Sequence, residues 1–360
     1  MKKTFVLFLC FALFLSACAS QQTPQPTPAA QPVVITDALD REVSLEQAPQ
    51  RIVVTGKASI MVLDALYMFP EAKVRVVAFE DVTQGDTNFI SLLDPEYAQK
   101  AFLVRDAGVE QFVSAEPDLV LMKSSQAEKM GAPIEALDIP VAYVDFETPE
   151  QYDRDLKVLG QLFQNEARAK ELIDYYNGKV EGISTALAGV DEKPRTLMLY
   201  YTDADGAVAF NVPPLSWMQT RMVEMAGGEV VWQDANPGSG WTKVTIEQVA
   251  VWDPDTILIV SYNKDPREVV SDLKADPQWQ SLRAVQSGSL LAFPKDLYSW
   301  DQPDSRWVLG VQWLAARLHP EQFPNTDMVA VAQEFYQFAY GLDSTTFDAS
   351  IKPTLQGDIP

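Results

Sequence analysis

Val109-Glu110-Gln111-Phe112-Val113-Ser114-Ala115-Glu116-Pro117-Asp118-Leu119-Val120-Leu121-Met122 lies without a gap on Ile246-Glu247-Gln248-Val249-Ala250-Val251-Trp252-Asp253-Pro254-Asp255-Thr256-Ile257-Leu258-Ile259, a constant offset of 137 from position 109 to position 246. Each copy reads as a helix, a Pro-Asp turn and a buried strand. Each also sits inside its own alternation of β-branched runs and helix-length segments. Arg51-Ile52-Val53-Val54, Val74-Arg75-Val76-Val77, Leu119-Val120-Leu121-Met122 and Val141-Ala142-Tyr143-Val144 form the first series, and residues 196–201, 256–260 and 290–293 the second. Strands alternating with helices make parallel sheets covered on both faces, and self-similarity at a fixed offset marks repeated units. The predicted fold class is therefore α/β: two α/β lobes with mostly parallel sheets, bridged by a long α-helix.

The segment between the two series has a helical period. Leu156, Leu159 and Phe163 make one stripe, Leu172, Tyr176, Val180, Ile183 and Leu187 a second, and Pro194 ends the pattern because proline cannot continue a helical ladder. The expected organisation is residues 33–148 as a first lobe, 149–190 as a helical connector, 191–324 as a second lobe and 325–360 as a helical tail. Open sheets bind ligands beyond the carboxyl ends of their strands, so a cleft between the lobes is the expected site.

The beginning of the chain reads as an export signal. Lys2 and Lys3 precede an apolar run over 5–15, too short for a permanent membrane span, and Leu15-Ser16-Ala17-Cys18 places small residues before a cysteine. Residues 1–17 are read as a lipoprotein signal peptide, Cys18 as the lipidated first residue of the mature chain, and 18–32, made of Gln, Thr, Pro and Ala, as a flexible spacer. The competing reading is an ordinary secretory leader. Either reading places the protein outside the cytoplasm, and the lipoprotein reading anchors it to the cell membrane, on its periplasmic or outer face. Cys10 and Cys18 are the only cysteines, so the mature chain forms no internal disulfide and core packing alone must hold it together.

Composition narrows the function. Asp and Glu outnumber Lys and Arg 50 to 28, a formal net charge of −22 with no basic cluster, which argues against nucleic-acid binding. The sequence has no G-x-S-x-G elbow, no phosphate-binding G-x-x-x-x-G-K-[ST] loop and no H-E-x-x-H pair. The only histidine, His319, stands at the end of an apolar helical run and reads as a helix-end residue. A histidine-rich site for a bare transition metal is thereby removed, leaving a chelated or organic ligand. Acid pairs such as Asp301 with Asp304 are read as solvated caps rather than catalytic carboxylates, and Ser239 as a loop residue. No catalytic residue, protein metal ligand or cofactor is assigned.

Ile35-Thr36-Asp37-Ala38-Leu39-Asp40-Arg41-Glu42-Val43 followed by Pro49-Gln50-Arg51-Ile52-Val53-Val54 resembles the opening of the Fe/B12-type periplasmic binding proteins, the substrate-binding subunits of ABC importers. Pro117-Asp118-Leu119-Val120, Ala226-Gly227-Gly228, Trp279-Gln280-Ser281-Leu282-Arg283-Ala284-Val285-Gln286-Ser287-Gly288 and Pro303-Asp304-Ser305-Arg306 extend the resemblance to about residue 323. It implies a monomeric carrier, not an enzyme, that captures a ferric siderophore, or alternatively cobalamin or haem, and delivers it to an ABC permease dimer with its ATPase. It also implies docking through one acid per lobe, at Glu128 and, by the 137-residue offset, at Asp265, with Glu268 as a substitute for Asp265. For the ligand site, aromatics at strand ends and in loops are the candidates: Tyr201, Trp217, Trp241, Tyr262, Tyr298 and Trp300. Lys57, Arg105, Lys123 and Arg306 are the candidate partners for negative groups, Arg306 alternatively capping structure because it lies in a motif shared by family members with different ligands. Trp313, at helical spacing with Leu309 and Ala316, belongs to the core. The rival readings are a two-lobed extracytoplasmic enzyme and a structural lipoprotein.

Overall fold

The computed structural model describes residues 31–80, 89–104, 108–203, 206–236 and 238–359. Cys10, Cys18, Arg105 and most of the expected spacer lie outside the described residues. A small antiparallel pair, β1 (Val33–Thr36) and β2 (Glu42–Leu45), opens the fold. The first lobe is built on a five-stranded parallel sheet of β3 (Ile52–Val54), β4 (Val76–Glu80), β5 (Ala101–Leu103), β6 (Leu119–Lys123) and β7 (Val141–Val144), in the order β5-β4-β3-β6-β7. Every residue of β3, β6 and β7 is buried, as parallel strands covered on both faces require. Strand β4 starts two residues later than the sequence reading, because Ala72–Arg75 closes a helical turn first.

The second lobe carries six strands: β8 (Arg195–Thr202), β9 (Ala209–Val212), β10 (Glu229–Val230), β11 (Thr242–Val244), β12 (Thr256–Val260) and β13 (Leu290–Ala292). The path is β11-β9-β8-β12-β13, with β10 beside the start of β8. Strands β10, β12 and β13 are parallel to their neighbours, whereas β9 and β11 fold back as an antiparallel edge.

The 137-residue repeat survives in three dimensions. Strands β6 and β12 begin and end at that offset, from 119 to 256 and from 123 to 260. Ahead of each, the chain turns through a left-handed residue, Glu116 at φ 47° and Asp253 at φ 41°. The aspartate of each Pro-Asp pair then ties down the neighbouring strand. Asp118 accepts the Arg51 backbone N–H at 2.8 Å and Asp255 that of Arg195, also at 2.8 Å.

Two helices, Pro149–Phe163 and Glu166–Ala186, lie between the two sheets in sequence and pack on each other. The connector is a hairpin rather than one rod, since Gln164 turns left-handed at φ 54° and the Asn165 side chain caps the second helix. At 1.5 Å per residue, the 21 residues of that second helix span about 31 Å. Leu172, Tyr176 and Ile183 are buried along its inner stripe. The Tyr176 ring stacks 5.3 Å from Trp307, the first residue of the helix Trp307–Leu318, and its hydroxyl donates to the Ser305 carbonyl at 2.6 Å. One apolar cluster runs from β1 through both lobes to Ile351. The lobes therefore share a packed core, which opposes large opening motions because interiors at crystal-like density deform little.

Candidate functional site

The carboxyl ends of β3, β12 and β13 converge on a cleft of about 1080 Å³. The first lobe contributes Lys57, Ala58, Met61 and Glu147, and the second Trp217, Gln219, Trp241, Tyr262, Lys264, Asp265 and Lys295 among others. Pro353, Thr354 and Gln356 from the end of the chain complete the lining.

On the first-lobe side, Gly56 at φ 95° makes the turn out of β3. Buried Glu80, at the end of β4, fixes that turn by accepting from the Thr55 hydroxyl at 2.7 Å and the Gly56 N–H at 2.9 Å. Lys57 is thereby held at the cleft edge. The following helix, Ser59–Leu66, starts from Ala58, which has no side chain to cap the first turn, so its positive end borders the cleft beside the lysine. This corner favours negative charge. Glu147 is set by the loop after β7, where the Asp155 carboxylate accepts the backbone N–H groups of Asp145 and Phe146 at 2.7 and 2.9 Å.

The second-lobe wall is aromatic. Trp217 and Trp241 meet edge to face at 5.6 Å, and Tyr200 lies 4.9 Å from Trp241 and 4.5 Å from Tyr262. Beneath this wall, Asp301 accepts from the Tyr262 hydroxyl at 2.9 Å and the Gln219 amide at 3.2 Å, which orients both side chains. Burial raises the Asp301 pKa above the ordinary carboxylate value despite those hydrogen bonds. The expected solvated cap is thus a buried support. Lys264 pairs with Asp203 at 2.5 Å, and Lys295 donates to the Tyr262 carbonyl at 2.9 Å.

Of the sequence candidates, the structure brings Lys57, Trp217, Trp241, Tyr262 and Asp265 together in this cleft. It places others elsewhere. Tyr201 lines a separate hollow of about 520 Å³ with Phe210 and Trp279. Lys123 is buried, ion-paired to Glu147 and 3.8 Å from the Met61 sulfur, so it supports lining residues from below. Tyr298, Trp300 and Arg306 are corrected more firmly, being 2%, 0% and 0% exposed. The Trp300 indole donates to Asp296 at 2.8 Å. Arg306 pairs with Asp64 at 2.6 Å, Asp296 at 3.0 Å and Asp304 at 3.6 Å, while its guanidinium lies 4.6 Å from the Phe89 ring and 4.8 Å from that of Tyr298. Asp64 and Phe89 belong to the first lobe and Tyr298, Asp296 and Asp304 to the second, so Arg306 fastens the lobes together. His319 is the helix-end residue expected, its ring against the Gly227 carbonyl at 3.3 Å.

Glu128 is exposed in the turn Ala127–Gly131 after β6. Asp265 is the N-cap of the helix Pro266–Ala275 and is gripped by Arg267. Burial would raise its pKa, but the Arg267 hydrogen bonds outweigh burial and hold it below the usual value. Glu268, one turn on, is exposed. Sequence reasoning missed Met61, Glu147, Gln219, Lys264, Lys295 and the C-terminal residues. Lys264 follows the end of β12 closely enough for the strand-end rule to have found it; the C-terminal residues carry no local signal.

A family model described as periplasmic binding protein matches residues 52–297. The chain belongs to that family. The molybdate-binding protein MolA of Haemophilus influenzae is 23% identical over 332 residues, covering 85% of this chain and 90% of the relative. The uncharacterized ABC transporter substrate-binding lipoprotein YvrC of Bacillus subtilis is 24% identical over 328 residues, covering 87% and 95%. Among solved structures, a periplasmic solute binding protein from Veillonella parvula superposes with a TM-score of 0.71 at 21% identity, covering 89% of this chain and 96% of that one. The protein is the substrate-binding component of an ABC importer, acting outside the cytoplasm with a permease and ATPase as partners, and it is not an enzyme. No helix among the described residues is long and apolar enough to cross a membrane.

Proposed function

We propose that this importer subunit is anchored through a lipidated Cys18 and that its cleft takes a bulky, negatively charged iron chelate of the ferric siderophore class. The size and lining of the cleft carry the reading. At about 1080 Å³ it matches the upper end of small-molecule pockets, roughly 300–1,000 Å³. A bare oxyanion such as the one named for MolA would leave most of that space to water. Aromatic faces at Trp217, Trp241 and Tyr262 suit the flat or apolar parts of a chelate, and Lys57, Lys264 and Lys295 with the uncapped helix start suit its negative groups. Haem of the same family's substrate range fits less well, because the sole histidine, His319, is committed to Gly227 away from the cleft. Delivery to the permease runs through exposed acids, Glu128 on the first lobe and, in place of Asp265, which Arg267 grips at the cleft, Glu268 on the second.

The test is thermal shift with tryptophan quenching against ferrichrome, ferric enterobactin, haemin, cyanocobalamin and molybdate. At a ligand concentration of about 100 Kd, binding adds about 2.7 kcal/mol of stability by mass action. A ferric siderophore should stabilise and quench, and its iron-free form should do so more weakly. Tighter binding of molybdate, haemin or cyanocobalamin overturns the ligand class. Replacing Cys18 by Ser should release the protein from the membrane fraction, and retention there contradicts the anchor.

A further inference from the structure

Residues 328–359 pack across both lobes and pass along the edge of the cleft. The helix Met328–Tyr340 lays Tyr336 and Tyr340 against Phe89 of the first lobe at 5.7 and 4.8 Å, and the Arg168 guanidinium donates to the carbonyls of Phe338 and Ala339. Beyond it, Phe347 and Ile351 are fully buried. The chain then meets the segment after β13 through an isolated antiparallel bridge. Gln356 donates its N–H to the Lys295 carbonyl at 2.8 Å and accepts the Lys295 N–H at 3.1 Å. Asp358 donates its backbone N–H to the Ala292 carbonyl at 2.9 Å, its carboxylate accepts the Ala292 N–H at 2.8 Å, and its carbonyl accepts from Trp313 and Arg317. Gly357 sits at φ 90°, where an added Cβ would stand 2.7 Å from the Phe293 carbonyl oxygen, so the close approach needs glycine.

Through this docking Pro353, Thr354 and Gln356 line the cleft, and Lys295 is held facing it. The Gln356 side-chain oxygen is buried among protein atoms without a hydrogen-bond partner. The family model ends at residue 297, ahead of this segment.

We propose that Pro353, Thr354 and Gln356 form a third wall of the ligand cleft and determine which chelates it admits. This rests on reading the cleft as the ligand site. The experiment uses the purified full-length protein in detergent with the five probes above. Thr354→Phe, which adds bulk to the wall, should weaken the probe bound by wild type at least about tenfold, and Gln356→Ala, which leaves the backbone bridge intact, about three- to tenfold, both at unchanged melting temperature. Hydrogen exchange should show the amides of Lys295 and Gln356 protected in wild type and released in Gly357→Val. Exchange of Gln356 at the rate of an unstructured peptide, or affinities within about twofold in both cleft variants, overturns the wall. A wild type that binds none of the five overturns the ligand reading beneath it, a result that the exchange data distinguish from an undocked tail.

Discussion

Replacing Arg306 by Met tests the interlobe fastening most severely. Its guanidinium is the sole cation within the pocket formed by Asp64, Asp296 and Asp304 among the described residues, all of them buried. Burial first, and the neighbouring carboxylates second, push Asp64 up to about 6 and Asp304 to about 8, with Arg306 pulling in the other direction. Removing the cation forces the folded state to take up a proton, and for an acid of ordinary pKa near 4 that costs about three units at about 1.4 kcal/mol each, or about 4 kcal/mol. The figure agrees with the roughly 3–5 kcal/mol for breaking a buried pair by deleting one partner. At pH 5 the same proton costs only about 1.4 kcal/mol, but the wild type also takes up a proton at Asp64 as pH falls through about 6, so the deficit should shrink by about 1–2 kcal/mol. Urea unfolding followed by tryptophan emission at pH 5 and pH 7 measures both values.

Asp64→Asn supplies the companion slope. A carboxylate whose folded pKa is about 6 against about 4 unfolded contributes stability that is complete below pH 4 and is lost as pH rises through 6, about 3 kcal/mol in all. That loss should be absent from the Asn variant. A deficit for Arg306→Met below about 1 kcal/mol, or one equal at both pH values, would refute the assignment of Arg306 to an electrostatic fastening.

Three further outcomes are expected. Trp217→Ala with Trp241→Ala should weaken ligand binding by about tenfold or more at little cost in stability, since both are half-exposed, whereas Trp300→Ala should cost about 3–5 kcal/mol of stability through its cavity; titration and urea unfolding separate the two. Glu128→Lys with Glu268→Lys should abolish uptake in cells and leave the affinity of the purified protein unchanged, and a loss of affinity would count against docking. Gly310→Ala should destabilise by about 1–3 kcal/mol, read as a lowered urea midpoint, because its Cβ would lie 2.4 Å from the Trp300 carbonyl oxygen.

The repeated segment gave the fold its legibility. A helix, a Pro-Asp turn and a continuous apolar strand are all local signals, and their recurrence implied two sheets before any long-range contact was known. Strands β5, β9, β10 and β11 went unread because they are two to four residues long and mostly lie at sheet edges, where partial exposure dilutes the apolar pattern. The turn at Gln164 was legible only as the gap between the two helical stripes, and only the backbone geometry reveals the cap.

The site was legible to the extent that it depends on strand ends. Lys57 and Tyr262 follow β3 and β12, and Trp217 and Trp241 stand in loops of the same face. Trp300 and Arg306 misled the reading for one reason. Their Gly-, Asp- and Pro-rich surroundings do form turns, yet the turns are roofed by the helix Met328–Tyr340, whose Tyr336 hydroxyl joins Arg306 to Asp296. A cover supplied from thirty residues downstream leaves no mark on the sequence around the covered residue, and the same holds for the wall that the chain's end adds to the cleft.

Calorimetric titration of the full-length protein with a ferric siderophore addresses the central claim most directly. The account requires saturable binding with one ligand per protein, a negative heat-capacity change from covering the aromatic wall, and loss of that binding in the Trp217→Ala, Trp241→Ala double variant. Binding left intact by the double variant, or saturation by molybdate with no heat from any ferric complex, would contradict it.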